Sequence, residues 1–285
     1  MKEILQGKNG IEDPLVYELL LIRYGKGIFH KKLKVKQLIK VEKLAIFNMN
    51  LKNLSFLKYF PNLTHLSIAQ TSIINIEELK YVPNLKKLVL MGNPIYDISP
   101  LKYCPNIEHL DIEACDVDDI KAITNLKYLE SINASYCHLN DVSFLEKCKD
   151  LRYLNLAHNR IHDISFVNQC LKLEELDLSD NFIINIQDLL HCSSLNRLNL
   201  EDNKITSLVG CDKMKNLLYL NIRNNCIQED LDEWYDKLFY VDELILSESD
   251  YLASVDEGYE NELYVSRGGK QNENHRKRLF TRKKL

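Results

Sequence analysis

The chain has 285 residues, 45% of them hydrophobic and 27% charged, and its formal net charge is −4. This balance is ordinary for a folded protein and excludes wholesale disorder, while no apolar run reaches the roughly 18 residues that a membrane-spanning helix needs. Because the N-terminal segment MKEILQGKNGIEDP is polar and lacks the apolar stretch of a secretory signal, we expect a cytoplasmic or nuclear location, or both, and no membrane partner.

The first predicted element is a helix within an N-terminal cap over residues 1–40. Asp13 and Pro14 suit the N-cap and the first helical position, because aspartate can accept hydrogen bonds from open backbone amides and proline has no amide to satisfy. Gly25 is suited to end the helix. We expect this helical cap to cover the start of the repeats that follow.

A strict repeat covers residues 41 to about 230. Counting each repeat from its first hydrophobic residue as offset 0, apolar residues recur at offsets 0, 3, 5, 10, 13, 16 and 19. The interval is 22 residues throughout, and the nine repeats start at Val41, Leu63, Leu85, Ile107, Leu129, Leu151, Leu173, Leu195 and Leu217. A fixed period of this length predicts one elongated solenoid in which neighbouring repeats bury a continuous core.

Each repeat is predicted to contain one short strand followed by a turn. In YLNLA, residues 153–157, Leu154 and Leu156 alternate with Tyr153 and Asn155, which is the period of a half-buried strand. An asparagine at offset 8 can bond backbone groups where the chain leaves the strand. Offset 8 holds Asn93, Asn159, Asn181, Asn203 and Asn225, with Thr71, Cys115 and Cys137 as substitutes and Met49 in an atypical first repeat.

The second half of each repeat has apolar residues at every third position, as in IHDISFVNQC over residues 161–170, and this is the period of a 3₁₀ turn. The full pattern L-x-x-L-x-L-x-x-N-x-L resembles that of the leucine-rich repeat family, whose period lies at ~20–29 residues. The resemblance implies an α/β solenoid, a right-handed horseshoe with parallel strands on the concave face and short 3₁₀-type turns on the convex face.

After the last repeat the period fails, and residues 231–264 are predicted to form a C-terminal cap. Trp234 is expected to plug the end of the core, and ELIL at residues 243–246 is strand-like. Residues 265–285 form a basic tail that is predicted to be disordered when free. We interpret it as a solvated tail or a localisation signal, or alternatively as an arm for nucleic acid or an acidic surface. Its clustered cations are Arg276, Lys277, Arg278, Arg282, Lys283 and Lys284.

Charge is distributed in three blocks along the chain. Residues 1–43 carry +5 and residues 266–285 carry +7, so residues 44–265 carry −16. An acidic solenoid with basic ends is therefore predicted. Because the negative charge of the solenoid repels phosphates over most of the surface, nucleic acid could be contacted only through the basic ends.

The eight cysteines show no CxxC spacing, so neither zinc ligands nor disulfides are indicated. We expect free thiols buried in two registers. One register holds Cys104, Cys148, Cys170 and Cys192, and the other holds Cys115 and Cys137.

Motifs of catalytic and cofactor sites are missing from the sequence: it contains no glycine-rich phosphate loop, no HExxH and no G-x-S-x-G. The nearest metal-like group is His109, Asp111 and Glu113, at alternate positions of one predicted strand on an open surface. We therefore expect no enzyme activity, no metal and no cofactor.

The predicted concave face consists of the side chains at offsets 2, 4, 6 and 7. Its first repeats are apolar to neutral, and its later repeats are acidic with tyrosines among them. This mixture predicts that a monomeric chain binds a protein partner with a basic or mixed surface. The candidate partner-binding residues are Phe47, Met91, His109, Asp111, Glu113, Tyr136, Tyr153, Glu175, Asp177, Asp180, Glu201, Asp202, Tyr219 and Arg223.

Repeat endings such as NRIHDI at 159–164 and NPIYDI at 93–98 resemble the leucine-rich repeat subclass typified by the nuclear regulatory subunit of type-one protein phosphatase. The resemblance implies a non-catalytic intracellular adaptor, with a phosphatase catalytic subunit as one candidate partner. In that subunit, aromatic and acidic side chains at offset 4 hold the phosphatase. Here the same column contains Asp111 and Asp177 and no aromatic residue.

A second hypothesis is a structural component of a ribonucleoprotein particle, similar to the spliceosomal A-prime protein, which contacts RNA or an acidic surface through its basic ends. It predicts that binding falls steeply with salt. A bacterial surface adhesin shares similar repeats, but the polar N-terminal segment and the buried cysteines count against it.

Overall fold

The structure of the protein is a computed structural model that describes residues 16–18, 20, 35–229, 231–247 and 262–266. The predicted helix boundaries at Asp13, Pro14 and Gly25 and residues 267–285 of the basic tail lie outside the described residues. The chain divides into two compact parts, residues 1–137 and residues 138–285, called below the N-terminal half and the C-terminal half.

The N-terminal half contains parallel strands separated by 3₁₀ turns. Residues 22 apart lie opposite each other, as Leu44 does to Leu66, so the register of the sheet is the register of the repeat. Residues 16–18 and 20 are helical, and so is Val35–Leu38. The strands are β1 (Lys43–Phe47), β2 (His65–Ala69), β3 (Lys87–Val89), β4 (His109–Asp111) and β5 (Ser131–Asn133), and the turns are Ser55–Tyr59, Glu77–Tyr81, Ser99–Tyr103 and Lys121–Asn125.

The C-terminal half continues the same alternation in its own set of strands. The final strand, β11, pairs antiparallel with β10, whereas the others pair in parallel. A helix, Leu231–Lys237, lies between β9 and β10. The strands are β6 (Tyr153–Asn155), β7 (Glu175–Asp177), β8 (Arg197–Asn199), β9 (Tyr219–Asn221), β10 (Glu243–Ser247) and β11 (Glu262–Ser266), and the turns are Ser143–Lys147, Ser165–Gln169, Gln187–His191 and Cys211–Lys213.

The core consists of the apolar columns that the repeat predicts. In the seventh repeat the apolar residues at offsets 3, 5, 10, 13 and 16 are at most 2% exposed, and they are Leu176, Leu178, Ile183, Ile186 and Leu189. Burying one such side chain stabilises the fold by about 1.5–3 kcal/mol. Trp234 is 3% exposed, as expected of a residue that packs into the core.

Each of the first seven 3₁₀ turns begins with an Asx turn that the apolar pattern does not indicate. The side-chain oxygen at offset 12 accepts a hydrogen bond from the backbone N–H at offset 14, over 2.7–2.9 Å. Asparagine and aspartate are favoured there because they mimic a backbone turn. These residues are Asn53, Asn75, Asp97, Asp119, Asp141, Asp163 and Asn185.

The predicted fold class, an α/β solenoid of the leucine-rich repeat type, is confirmed, since parallel strands alternate with 3₁₀ turns in both halves. The second half of each of the first eight repeats forms a 3₁₀ turn, as its three-residue period predicts, whereas in the ninth repeat the helix Leu231–Lys237 follows β9. Within the described ranges, no helix is long and apolar enough to cross a membrane.

Candidate partner-binding faces

Buried asparagines at offset 8 support the ends of the strands. Asn181 is 4% exposed, and its Oδ1 accepts the Ile161 N–H at 2.9 Å. Its Nδ2 donates to the carbonyls of Leu156 and Leu178, each at 3.0 Å. The same set of bonds recurs at Asn203 and Asn225. The predicted role of this column is therefore confirmed, and it fixes the backbone beneath the candidate faces.

The cysteine substitutes keep only part of this arrangement. The Cys137 thiol donates to the Ile112 carbonyl at 3.0 Å, and the Cys115 thiol to the Leu90 carbonyl at 3.4 Å. A thiol is a poor acceptor for the N–H that asparagine would bind. In the repeat before Cys115, the N–H of Ile95 is the group that an asparagine would bind, and it donates instead to the Asn93 carbonyl at 2.7 Å.

The residue at offset 7 has a positive φ, between 51° and 68°, in all nine repeats. In seven of these repeats its N–H donates to the offset-6 carbonyl of the next repeat, as from Asp180 to Glu201 at 2.9 Å and from Asp202 to Arg223 at 3.0 Å. Aspartate and asparagine tolerate this conformation better than most side chains. These bonds hold the side chains at offset 7 of those seven repeats at the rim of the sheet.

The strand face of each half is defined here as its side chains at offsets 2, 4, 6 and 7. The aspartate and asparagine side chains at offset 4 form local hydrogen bonds. Asp177 Oδ1 accepts the N–H of Ser179 at 2.9 Å and its hydroxyl at 2.6 Å, and Asp177 Oδ2 accepts Asn199 Nδ2 at 3.1 Å. In the N-terminal half, Asp111 accepts the Glu113 N–H at 3.1 Å. Burial raises the pKa of Asp111. These carboxylates therefore stabilise the backbone that follows their own strands.

The strand face of the C-terminal half is lined by acidic and aromatic side chains. Tyr153 and Glu175 face each other across β6 and β7. Among the predicted partner-binding residues, Tyr153, Glu175, Asp180 and Asp202 are exposed, while Asp177, Glu201, Tyr219 and Arg223 are half-buried. The structure therefore brings these eight residues onto one face.

Several of these side chains contact one another or a neighbouring charge. Asp180 Oδ2 lies 2.6 Å from His158 Nδ1, and Glu201 Oε1 lies 3.7 Å from Arg223 Nε. The Tyr153 hydroxyl donates to Glu174 at 3.2 Å, and the negative charge of Glu174 raises the pKa of Tyr153. These contacts orient the polar groups across the strands.

The strand face of the N-terminal half carries the other predicted residues. Phe47 is 52% exposed and Tyr136 50% exposed, whereas Met91, His109 and Glu113 are half-buried. The pattern of single repeats missed a row of basic side chains at offset 2, namely Lys43, His65 and Lys87, which precedes His109. Comparing the same offset in successive repeats would have found this row.

Seven of the eight cysteines are buried, including both predicted registers, and Cys226 is exposed. Burial raises the pKa of each buried thiol to about 11 or 12. Because the thiolate is the reactive form, these thiols are inert in the folded chain. In the described part of the chain no group of three or more His, Cys, Asp or Glu side chains is arranged to hold a metal ion.

Strands, turns and asparagine columns of this kind are the features of a leucine-rich repeat fold. The family model for leucine-rich repeats in two copies matches residues 83–128, 129–169 and 149–191, and a single-repeat model matches residues 191–208. No curated protein sequence shows a significant match to the chain.

Solved structures share the fold. Internalin C2 from Listeria monocytogenes aligns with a TM-score of 0.69 at 23% identity, over 73% of this chain and 92% of its own. An internalin, inlF, from the same organism aligns with a TM-score of 0.64 at 22% identity, over 81% of each chain. The plant peptide hormone receptor RGFR1 in complex with RGF2 aligns with a TM-score of 0.55 at 19% identity, over 68% of this chain and 34% of its own.

Proposed function

We propose that the chain is a non-catalytic adaptor, acting in the cytoplasm or nucleus, that binds a protein partner through the strand face of its C-terminal half. The observation that carries this proposal is the set of exposed carboxylates, Glu175, Asp180 and Asp202, beside the exposed ring of Tyr153. Tyrosine supplies contact area at interfaces, and clustered charge of one sign speeds encounter with an oppositely charged surface. Inert, buried thiols suit a reducing compartment.

The partner is proposed to present a basic or mixed surface. A phosphatase catalytic subunit is the candidate that the subclass resemblance supports. Asp177 is half-buried and bonds to Ser179 and Asn199. Glu175 and Asp180 are exposed, so these are the carboxylates that we expect to meet the partner.

The test is affinity purification of the full chain from its own cells, with all co-purifying proteins and RNA identified. Glu175→Lys and Tyr153→Ala should each remove a directly bound protein. Glu146→Lys makes the same charge change at an exposed position of the turn Ser143–Lys147, and it should retain the partner. A partner that survives both strand-face changes would refute the proposed face.

The alternative function, a structural component of a ribonucleoprotein particle, is supported by the +5 and +7 charges at the chain ends. It predicts that RNA or a large particle is recovered with the full chain and lost when the chain ends after Ser266. This truncation keeps β11, which pairs with β10. Counterion release would also make such binding fall steeply with salt.

A further inference from the structure

The first four strands align a row of basic side chains on the strand face of the N-terminal half. At offset 2, Lys43 lies opposite His65, His65 opposite Lys87, and Lys87 opposite His109. Neighbouring strands are about 4.8 Å apart, so the row spans about 15 Å. This local charge is opposite to that of the repeat region as a whole.

A shallow depression of about 180 Å³ lies beside the basic row and is lined in part by Lys43, His65 and Lys87. Short, half-buried side chains at offset 4, Ala45, Ser67 and Val89, also line it, together with the buried Leu44 and Leu66. At offset 6, on the far side of this column, Phe47 is 52% exposed. The depression therefore lies between cations on one side and an apolar edge on the other.

We propose that this face binds an extended acidic segment of a protein partner, with a small apolar side chain in the depression and carboxylates on the basic row. Side chains on one side of an extended peptide recur about every 6.6–6.8 Å, so a few residues span the three strands that line the depression. Carboxylates complement Lys43 and Lys87, and the floor of Ala45, Ser67 and Val89 suits a small aliphatic group.

The next strand limits the ligand to a short segment. Asp111 and Glu113, at offsets 4 and 6 of the fourth repeat, are half-buried on the same face. The negative charge of Glu108 also acts on His65. A long polyanion such as single-stranded RNA would cross these carboxylates, whereas a short acidic peptide ends before them.

His65 makes this binding pH-dependent. Burial and the charges of Lys43, Lys87 and His109 lower the pKa of His65, while Glu108 opposes them, so the ring is largely neutral at pH 7. A carboxylate placed beside the ring would favour its protonated form and raise its pKa. Binding is therefore expected to tighten as the pH falls from 8 to 6.

The test uses the full chain and three eight-residue peptides, which alternate glutamate with valine, lysine with valine, and glutamate with glycine. Binding is followed by the NMR signals of the Ala45 and Val89 methyl groups. The glutamate–valine peptide should shift both methyl signals and bind at least tenfold more tightly than either other peptide. Lowering the pH from 8 to 6 should strengthen binding.

Three variants locate the site. The double variant Lys43→Glu with Lys87→Glu should weaken binding of the glutamate–valine peptide at least tenfold. Ser67→Leu should do the same by filling the depression without changing the charge. Arg197→Glu, at the same offset in the C-terminal half, should bind as the unchanged chain does, and circular dichroism should show the same fold for every variant.

Three results would overturn the proposal. One is equal binding of the lysine–valine peptide, and another is full binding by the double lysine variant. The third is tighter binding of polyuridylate RNA than of the glutamate–valine peptide to the same two methyl groups, because it would assign the face to nucleic acid.

Discussion

Replacing Asn181 with alanine is expected to destabilise the C-terminal half strongly, because this buried side chain bonds several backbone groups. Its Oδ1 accepts the Ile161 N–H at 2.9 Å. Its Nδ2 donates to the carbonyls of Leu156, Leu178 and Ser179 at 3.0–3.1 Å. Asn181→Ala removes all of these bonds from a site that is 4% exposed.

The size of this loss of stability depends on which backbone groups keep a hydrogen-bond partner in Asn181→Ala. The Leu156 carbonyl still accepts from Asn159, the Leu178 carbonyl from Asn203, and the Ser179 carbonyl from the His158 N–H. The Ile161 N–H is left without an acceptor in a buried place, which costs about 1–3 kcal/mol. Loss of the Nδ2 bonds adds about 1 kcal/mol. We therefore expect the free energy of unfolding to fall by about 3 kcal/mol.

Urea unfolding followed by far-UV circular dichroism measures this loss, with Asn185→Ala as the matched control. Asn185 is exposed and accepts one hydrogen bond, from the Gln187 N–H at 2.8 Å. Its removal should cost about 1 kcal/mol or less. Equal losses for the two variants would refute the idea that the buried offset-8 bonds, rather than asparagine at any turn, hold the repeat together.

Three further predictions concern an Asx turn, the thiols and the glycines. Hydrogen bonds from the backbone N–H and the hydroxyl of Ser143 hold the pKa of Asp141 below its ordinary value of 3.8, so the contribution of Asp141 to stability is present above pH 3.8 and is lost as the pH falls through the lower folded value. Asp141→Asn should therefore make stability less dependent on pH in this acidic range, and an unchanged dependence would contradict this. A thiol reagent at pH 8 should react rapidly with Cys226 alone until the chain is unfolded, because thiols with a pKa of about 11 or 12 are ionised to roughly one in a thousand or less. A second fast thiol would contradict the burial. Gly210→Ala should lower the urea midpoint more than Gly92→Ala. At Gly210 φ is +98° and the new Cβ would clash with the Leu190 side chain, whereas at Gly92 φ is +68° and the same offset accommodates Ala114 at +52°. Equal midpoints would be evidence against that clash.

The features that recur at the same offset of successive repeats could be predicted from the sequence. The 22-residue period alone predicts the strands, the 3₁₀ turns and the core, because a solenoid stacks each offset on the same offset of the next repeat. Leu154, Leu176 and Leu198 are buried for that reason. The role of the offset-8 asparagines follows from the same pattern. Trp234 lies beyond the repeats, and its burial was predicted because a large aromatic side chain can close the end of the core.

The sequence by itself thus determined the repeat, its core and its polar faces, since alternation along one strand decides which way a side chain points. Only the tertiary structure decided which polar groups remain available to a partner. Asp177 and Glu175 are two residues apart on one strand, yet the structure engages the carboxylate of Asp177 with Asn199, 22 residues away, and leaves the side chain of Glu175 exposed. The left-handed residues at offset 7 and the basic row on β1–β4 likewise depend on hydrogen bonds and neighbours from the adjacent repeat. The register between neighbouring strands decides which residues become hydrogen-bond partners, and the sequence of a single repeat does not contain that information.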